Sequence, residues 1–283
     1  MSNIVDDLDY VKEYLNINDT ELSSLLNIPR SSFYNWRKNR INISNNQYEK
    51  VYSFIYIQGI KINNLKSQLY KDTETKNRII LYHGSKKDIK GKIDLKHSKE
   101  GNDFGKGFYL GKDLYQAASF VSNNMNSNVY ICEYFKNIDL KTMEFDVNEE
   151  WMLAVAYYRG KLNNYKTTKR IQHIINKVNK LDIIIAPIAD NNMYQIIDSF
   201  VNGEITNLQC INSLSASDLG KQYIFLTNKA LKNLKILERC YLCNEERRYY
   251  ENIKFENNTN CRQKVKYVMR KFAGKGKYIE ELL

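Results

Sequence analysis

The chain has 283 residues and a mass of 33.4 kDa, room for one large domain or two ordinary ones. Apolar residues at 43% and charged residues at 27% exclude wholesale disorder, and no apolar run reaches membrane-span length. The 43 Lys and Arg against 32 Asp and Glu leave a net charge of +11, which points to an anionic partner.

Helical spacing opens the chain. Val5, Leu8, Val11 and Leu15 share one face of a first helix. Asp19-Thr20-Glu21 starts a second, with Asp19 as the expected cap and Leu22, Leu25 and Leu26 as its inner stripe. Asn27-Ile28-Pro29 reads as a turn into a third helix from about Arg30 to Lys38, with Phe33 and Trp36 facing the core. Residues 44–69 read as one longer helix with Val51, Ile55 and Leu65 inside. The polar stretch Lys71 to Asn77 then separates this helical pattern from short β-branched runs, which marks a domain boundary.

Asp19 to Arg40 resembles the helix-turn-helix of phage-repressor-like regulators, through the short apolar second helix, the Ile-Pro turn and the Ser-Ser-x-x-x-Trp third helix. The resemblance implies that the third helix enters the major groove, with Arg30, Ser31, Ser32, Asn35, Arg37 and Lys38 as base readers or phosphate contacts. Residues 1–75 carry 9 basic and 9 acidic side chains, however, and that zero balance keeps a protein-docking module open beside DNA binding.

Strands and helices alternate after the boundary. Arg78 to Tyr82 is a strand leading into His83-Gly84-Ser85. Asn102 to Gly111 holds two glycines around Lys106 and starts a second strand at Phe108. A helix from Asp113 to Asn123 turns Leu114, Ala117, Ala118 and Val121 inward. A strand from Asn128 to Phe135 follows, then a helix from Glu149 to Arg159. Asp182 to Ala186 is a buried strand, Asn191 to Val201 a helix, and Lys221 to Thr227 a last strand. The Gly105/Gly107 pair precedes a strand and is therefore no dinucleotide or P-loop fingerprint.

From about Ile79 to Leu237 these pieces resemble the ADP-ribosyltransferase superfamily, and more closely a bacterial branch catalogued as a domain of unknown function. The matching motifs are Tyr82-His83-Gly84, Asp103 to Leu110, Gln116-Ala117, Trp151 with Arg159, Pro187 to Asp190, and Gln222 to Phe225. The resemblance implies an α+β fold: a helix-turn-helix-like domain over 1–75, a transferase-like mixed β core with helices over 76–240, and a basic helical extension over 241–283.

It also implies NAD as co-substrate and a set of roles. His83 would hydrogen-bond the adenosine-side ribose, Gly84 would hold the nicotinamide amide, and Tyr109 would stack on the nicotinamide ring. Ser85, Asp103, Phe104, Gly105, Gly107 and Phe108 complete the expected contact set. Gln222 stands where many transferases of the superfamily carry a glutamate, and is expected on the ribose 2′-hydroxyl; an amide is no base. Asp190 is the leading candidate base and Asp103 the second. Local readings stay open beside these: Asp190 as a helix cap, Asp103 as a turn residue, Tyr109 as sheet packing.

The tail is basic, with 13 Lys and Arg against 7 Asp and Glu over residues 232–283. Cys240 and Cys243 form C-x-x-C, but the fourth ligand position after Cys261 is Lys264, so no metal is expected. Five cysteines make no disulfide framework and the first thirty residues are not signal-like, so a cytoplasmic setting is expected. The expected function is mono-ADP-ribosyl transfer from NAD to a protein or nucleic-acid acceptor, as a bacterial toxin or phage-defence factor, with no membrane partner. The alternatives are a regulator whose transferase-like part binds NAD or a nucleotide without transfer, and an NAD glycohydrolase.

Overall fold

The structure is a computed structural model and describes residues 4–217 and 219–283. Five helices come first: α1 (Ile4–Leu15), α2 (Asp19–Leu26), α3 (Arg30–Arg37), α4 (Asn45–Ile57) and α5 (Ile62–Lys71). Then follow β1 (Arg78–Ser85), β2 (Phe108–Gly111), α6 (Leu114–Val121), β3 (Asn128–Phe135), β4 (Thr142–Glu144), α7 (Glu149–Tyr158), α8 (Lys169–Val178), β5 (Ile183–Pro187) and α9 (Asn191–Val201). The chain continues with α10 (Asn207–Ser215), β6 (Lys221–Phe225), α11 (Asn228–Leu231), β7 (Leu234–Tyr241), α12 (Asn244–Lys271) and α13 (Ile279–Leu282). The fold is mixed α and β, consistent with the α+β class.

Two compact units divide the chain. One joins Met1–Lys90, Asp113–Phe135 and Lys235–Lys254; the other joins Gly91–Lys112, Lys136–Leu234 and Phe255–Leu283. The units interleave along the sequence.

In the first unit, α1 to α4 bury Leu8, Val11, Leu22, Phe33, Trp36, Val51 and Ile55 together. Tyr241 and Cys243, from the end of β7 and beyond it, complete the same core. Short helices cannot bury their apolar faces alone, and here the cover comes from a segment far along the sequence. The cap of α2 is Asn18, one residue before the expected Asp19: its side chain accepts from Thr20 N and Glu21 N, and Glu21 answers at Asn18 N. The helix expected over 44–69 is two helices, broken at Gly59, whose φ of +81° suits glycine. That break turns Leu65 out to 44% exposure; Leu25 is 58% exposed on α2.

The same unit pairs β1 antiparallel with β3, and β7 lies beside β3. Helix α6 packs Leu114, Ala117, Ala118 and Val121 on Ile80, Tyr82, Val129 and Ile131. Lys66 of α5 is buried between Asp7 (2.7 Å) and Glu238 (3.1 Å), which explains two charged side chains at core positions.

The second unit holds a mixed sheet in the order β4-β5-β6-β2, with β4 and β5 parallel and the other neighbours antiparallel. Trp151 to Ala156 of α7 are buried on every side, and they pack with Ile171, Ile174, Ile184, Met193, Ile197 and Ile224. The Gly-rich tail segment is clipped to α10: Asn207 N donates to Lys277 O at 2.8 Å, and Thr206 Oγ1 donates to Lys275 O. Among the described residues no helix is long and apolar enough to cross a membrane.

Candidate functional site

The second unit brings four of the motif segments onto one carboxylate. Asp103 lies in the loop before β2. Phe104 anchors that loop in the core, 2% exposed, with its ring 5.2 Å from Phe145 and 6.1 Å from Tyr158. Gly105 turns the chain at φ +72°. The Tyr109 hydroxyl donates to Gly105 O at 2.8 Å and accepts from Phe104 N at 3.1 Å, so it clamps the loop that precedes its own strand. Burial pushes this phenol up from its ordinary pKa. Gly107 passes so close to β6 that a Cβ would stand 2.7 Å from Ile224 Cγ2. Phe108 is buried and registers with Phe225.

Held in this way, Asp103 is 6% exposed and bonded through both oxygens. Arg159, just past the end of α7, donates to Oδ1 from Nε at 2.8 Å and again from Nη2. Gln222 donates from Nε2 to Oδ2 at 2.8 Å, and Ala189 N reaches the same oxygen at 3.4 Å. Arg159 Nη2 also donates to Ala189 O at 2.9 Å, and its guanidinium lies 4.6 Å from the centre of the Tyr194 ring. Gln222 Nε2 donates a second time, to Pro187 O at 3.2 Å. The Asp-Phe-Gly loop, the arginine after α7, the Pro-x-Ala turn and the Gln-x-x-Phe strand are therefore one hydrogen-bonded cluster. No spacing announces it, since Asp103 and Gln222 are 119 residues apart. Tyr194 has no sequence signal; Arg159 has one, as a lone cation closing an apolar helix.

Asp190, the leading candidate base, caps α9: its Oδ1 accepts from Met193 N at 2.8 Å. Both carboxylates considered for base chemistry are thus engaged, Asp190 with a helix end and Asp103 with a cation.

The remaining motif residues belong to the first unit. His83 is half-buried on β1 and registers with Tyr130 of β3. A Cβ on Gly84 would collide with the Ala117 carbonyl oxygen and stand 3.1 Å from Val121 Cγ1. Glycine is therefore required there by the packing of α6 on β1, whatever else its backbone holds. The Ser85 hydroxyl donates to Lys87 O at 2.6 Å.

On α3, Arg30, Ser31 and Lys38 are exposed and Ser32 and Asn35 half-exposed. Arg37 differs: Nη2 lies 2.6 Å from Asp9 and Nη1 3.1 Å from Asp19, with Lys12 2.7 Å from Asp19. The hydrogen bonds from Arg37 and Lys12 hold the Asp19 carboxyl down at about 2. A cleft of about 310 Å³ beside α3 is lined by Asp19, Arg30, Ser31, Tyr34 and Arg37. Cys240 and Cys243 are buried thiols whose pKa is raised by burial, the latter to about 12. Among the described residues no group of three or more His, Cys, Asp or Glu side chains is placed to hold a metal ion.

Compared with known proteins, residues 79–236, more than half of the chain, match the family model described as protein of unknown function DUF3990. No curated protein matches, and no solved structure does.

Proposed function

The chain belongs to the DUF3990 family, and we propose that it is an NAD-dependent mono-ADP-ribosyltransferase. It passes ADP-ribose to a protein or nucleic-acid acceptor and releases nicotinamide. The observation that carries this reading is the convergence on Asp103 of four segments that resemble transferase motifs.

The chemistry required is modest in covalent terms. The bond between ribose C1′ and the nicotinamide nitrogen breaks, its electron pair leaves with nicotinamide, and positive charge spreads over the ribose. An acceptor nucleophile then bonds to C1′ and loses its proton. In this reading Tyr109 and the loop it clamps hold the nicotinamide end, and Gln222 meets the ribose. A ribosyl cation is electrophilic enough to be captured before the nucleophile is deprotonated. That suits a site where Asp190 caps a helix and Asp103 is bonded to Arg159. Consumption of NAD and modification of a macromolecule suit a toxin or defence factor. The helix-turn-helix-like stretch supplies targeting, and the pairing of Arg37 with two aspartates favours a protein partner for it over DNA.

The same engagement of both carboxylates favours one second reading, NAD binding without transfer. Incubation of the full chain and an acceptor mixture with NAD labelled in its adenylate half separates the possibilities. Label on macromolecules is the expected result. Free labelled ADP-ribose would make the protein a glycohydrolase, and intact NAD would make it a sensor.

A further inference from the structure

We infer that Asp103 is a positioning residue that fixes the polarity of Gln222, so that position 222 offers a hydrogen-bond acceptor to a sugar hydroxyl and, while residue 103 is an aspartate, functions only as an amide. The identity of the hydroxyl, on the nicotinamide ribose, rests on the transferase reading; the polarity rests on the geometry alone.

A glutamine amide has two ends of nearly equal shape, and the groups around it decide which end points where. Here the inward atom faces two acceptors, Asp103 Oδ2 at 2.8 Å and Pro187 O at 3.2 Å. Both protons of Nε2 are used on them. Rotating the amide by half a turn would set its oxygen against a carboxylate and a carbonyl, two repulsions in place of two hydrogen bonds. Oε1 therefore points away from Asp103. Gln222 is 8% exposed, and Oε1 is the end of the amide that this inference assigns to a ligand.

Asp103 cannot yield to accommodate a different neighbour. Its Oδ1 takes two donors from Arg159, and Arg159 is fixed in turn by Ala189 O and the Tyr194 ring. A glutamate at 222 would bring a second carboxylate into contact with this one, at a position with 6% exposure. The negative charge is thus already supplied by Asp103, one hydrogen bond behind the surface, and the amide passes on a neutral acceptor. Such an acceptor takes a hydroxyl proton and disfavours a phosphate or carboxylate, which selects the sugar hydroxyls of a nucleotide rather than its charged groups.

The test is a swap. Gln222→Glu sets carboxylate against carboxylate, and Asp103→Asn sets amide N–H against amide N–H. In the combined Asp103→Asn/Gln222→Glu protein the donor and the acceptor have changed places at this contact, while the Pro187 carbonyl still meets an oxygen, so the rescue is partial. The introduced amide keeps its oxygen toward Arg159 and turns its NH₂ to the introduced carboxylate, whose second oxygen faces outward. With labelled NAD, each single variant should lose about 10²–10³-fold in kcat, the scale of one preorganised hydrogen bond. The double variant should regain at least about tenfold over Gln222→Glu, with KM changing less than kcat. Thermal melting of the same four proteins should show the same cycle, with the two single losses larger than the double loss. Near wild-type kcat in Gln222→Glu, or a double variant no better than the singles in both measurements, overturns the inference. If the wild-type chain leaves NAD intact, the transferase reading falls and melting decides the polarity: non-additive shifts uphold it and additive shifts overturn it.

Discussion

Arg37 and Arg159 invite comparison. Each lies at the C-terminal end of a short helix, each is bonded to aspartate, and each stands in a stretch that resembles a known motif. Their settings differ. Arg37 is 31% exposed, and its partners Asp9 and Asp19 are 48% and 24% exposed. Arg159 is 19% exposed and Asp103 only 6%. Where water reaches the pair, the ions are solvated either way and the contact is a local brace. Where it does not, every oxygen of the carboxylate must find a donor, and that demand orders the Gln222 amide and the Ala189 backbone. The same two residue types make a surface pin in one unit and the centre of a buried hydrogen-bonded cluster in the other.

The comparison breaks most sharply on one substitution made at both arginines. Arg159→Met leaves Asp103 buried without its cation, which should cost about 3–5 kcal/mol. Urea unfolding monitored by circular dichroism measures it. A loss below about 1 kcal/mol, the scale of an exposed pair, would mean that solvent enters and answers Asp103 after all.

A second buried carboxylate sharpens the point because an amide answers it and no arginine. Glu246, in the first turn of α12, is 6% exposed and accepts from Asn63 Nδ2 at 2.7 Å. Burial raises its pKa from 4.5 to about 7, against smaller lowering contributions from Asn63 and Lys61. A carboxyl whose folded pKa lies above its unfolded one holds its proton more tightly when folded. Its stabilising contribution is complete below about 4.5 and is lost as pH rises through about 7. The rise corresponds to about 3 kcal/mol. Glu246→Gln should remove this slope between about pH 5 and 8 and make the protein more stable than wild type at the upper end. Equal slopes in the two proteins would place the titration elsewhere.

Asp190 tests whether a candidate base is a cap alone. Asp190→Ala should cost about 1 kcal/mol, the usual worth of an N-cap, and Asp190→Asn much less, because the amide oxygen still accepts from Met193 N. NAD turnover should survive in Asp190→Asn. A loss of about a hundredfold or more there would return Asp190 to the chemistry.

What the sequence can tell follows the reach of the interactions. β3 and α9 are legible to their end residues, and so are the four inward positions of α6, because period and cap are local signals. β7 merges in the sequence with a basic tail. Its Glu238 is buried because Lys66, 172 residues earlier, neutralises it, and no local pattern carries that fact. Three-residue β4 is too short to show a period. The cap of α2 is Asn18 and not Asp19 because Asp19 is held by Lys12 and Arg37. At the site the motif residues are legible one by one, whereas the bonds that join Asp103 to Arg159 and Gln222 span 56 and 119 residues and exist only in the folded chain.

The smallest expected effect is the other half of the arginine comparison. Arg37→Met removes a partly exposed cation from two aspartates that water can solvate, and the loss should stay below about 1 kcal/mol. Its consequence for binding is the more informative measurement. A side chain that contacts a phosphate contributes about one to the slope of log affinity against log salt. With its donors committed to Asp9 and Asp19, Arg37 should contribute nothing to that slope, while exposed Arg30 and Lys38 remain placed to do so. Affinity for a mixed-sequence duplex, measured between about 50 and 200 mM salt, should therefore be unchanged in Arg37→Met. If α3 meets DNA at all, the affinity should fall in Arg30→Met. A fall in slope of about one in Arg37→Met would show that the aspartates release it when nucleic acid arrives, and that the brace is a latch. If neither variant changes the affinity, and the wild-type chain binds weakly even at low salt, α3 is a surface for protein.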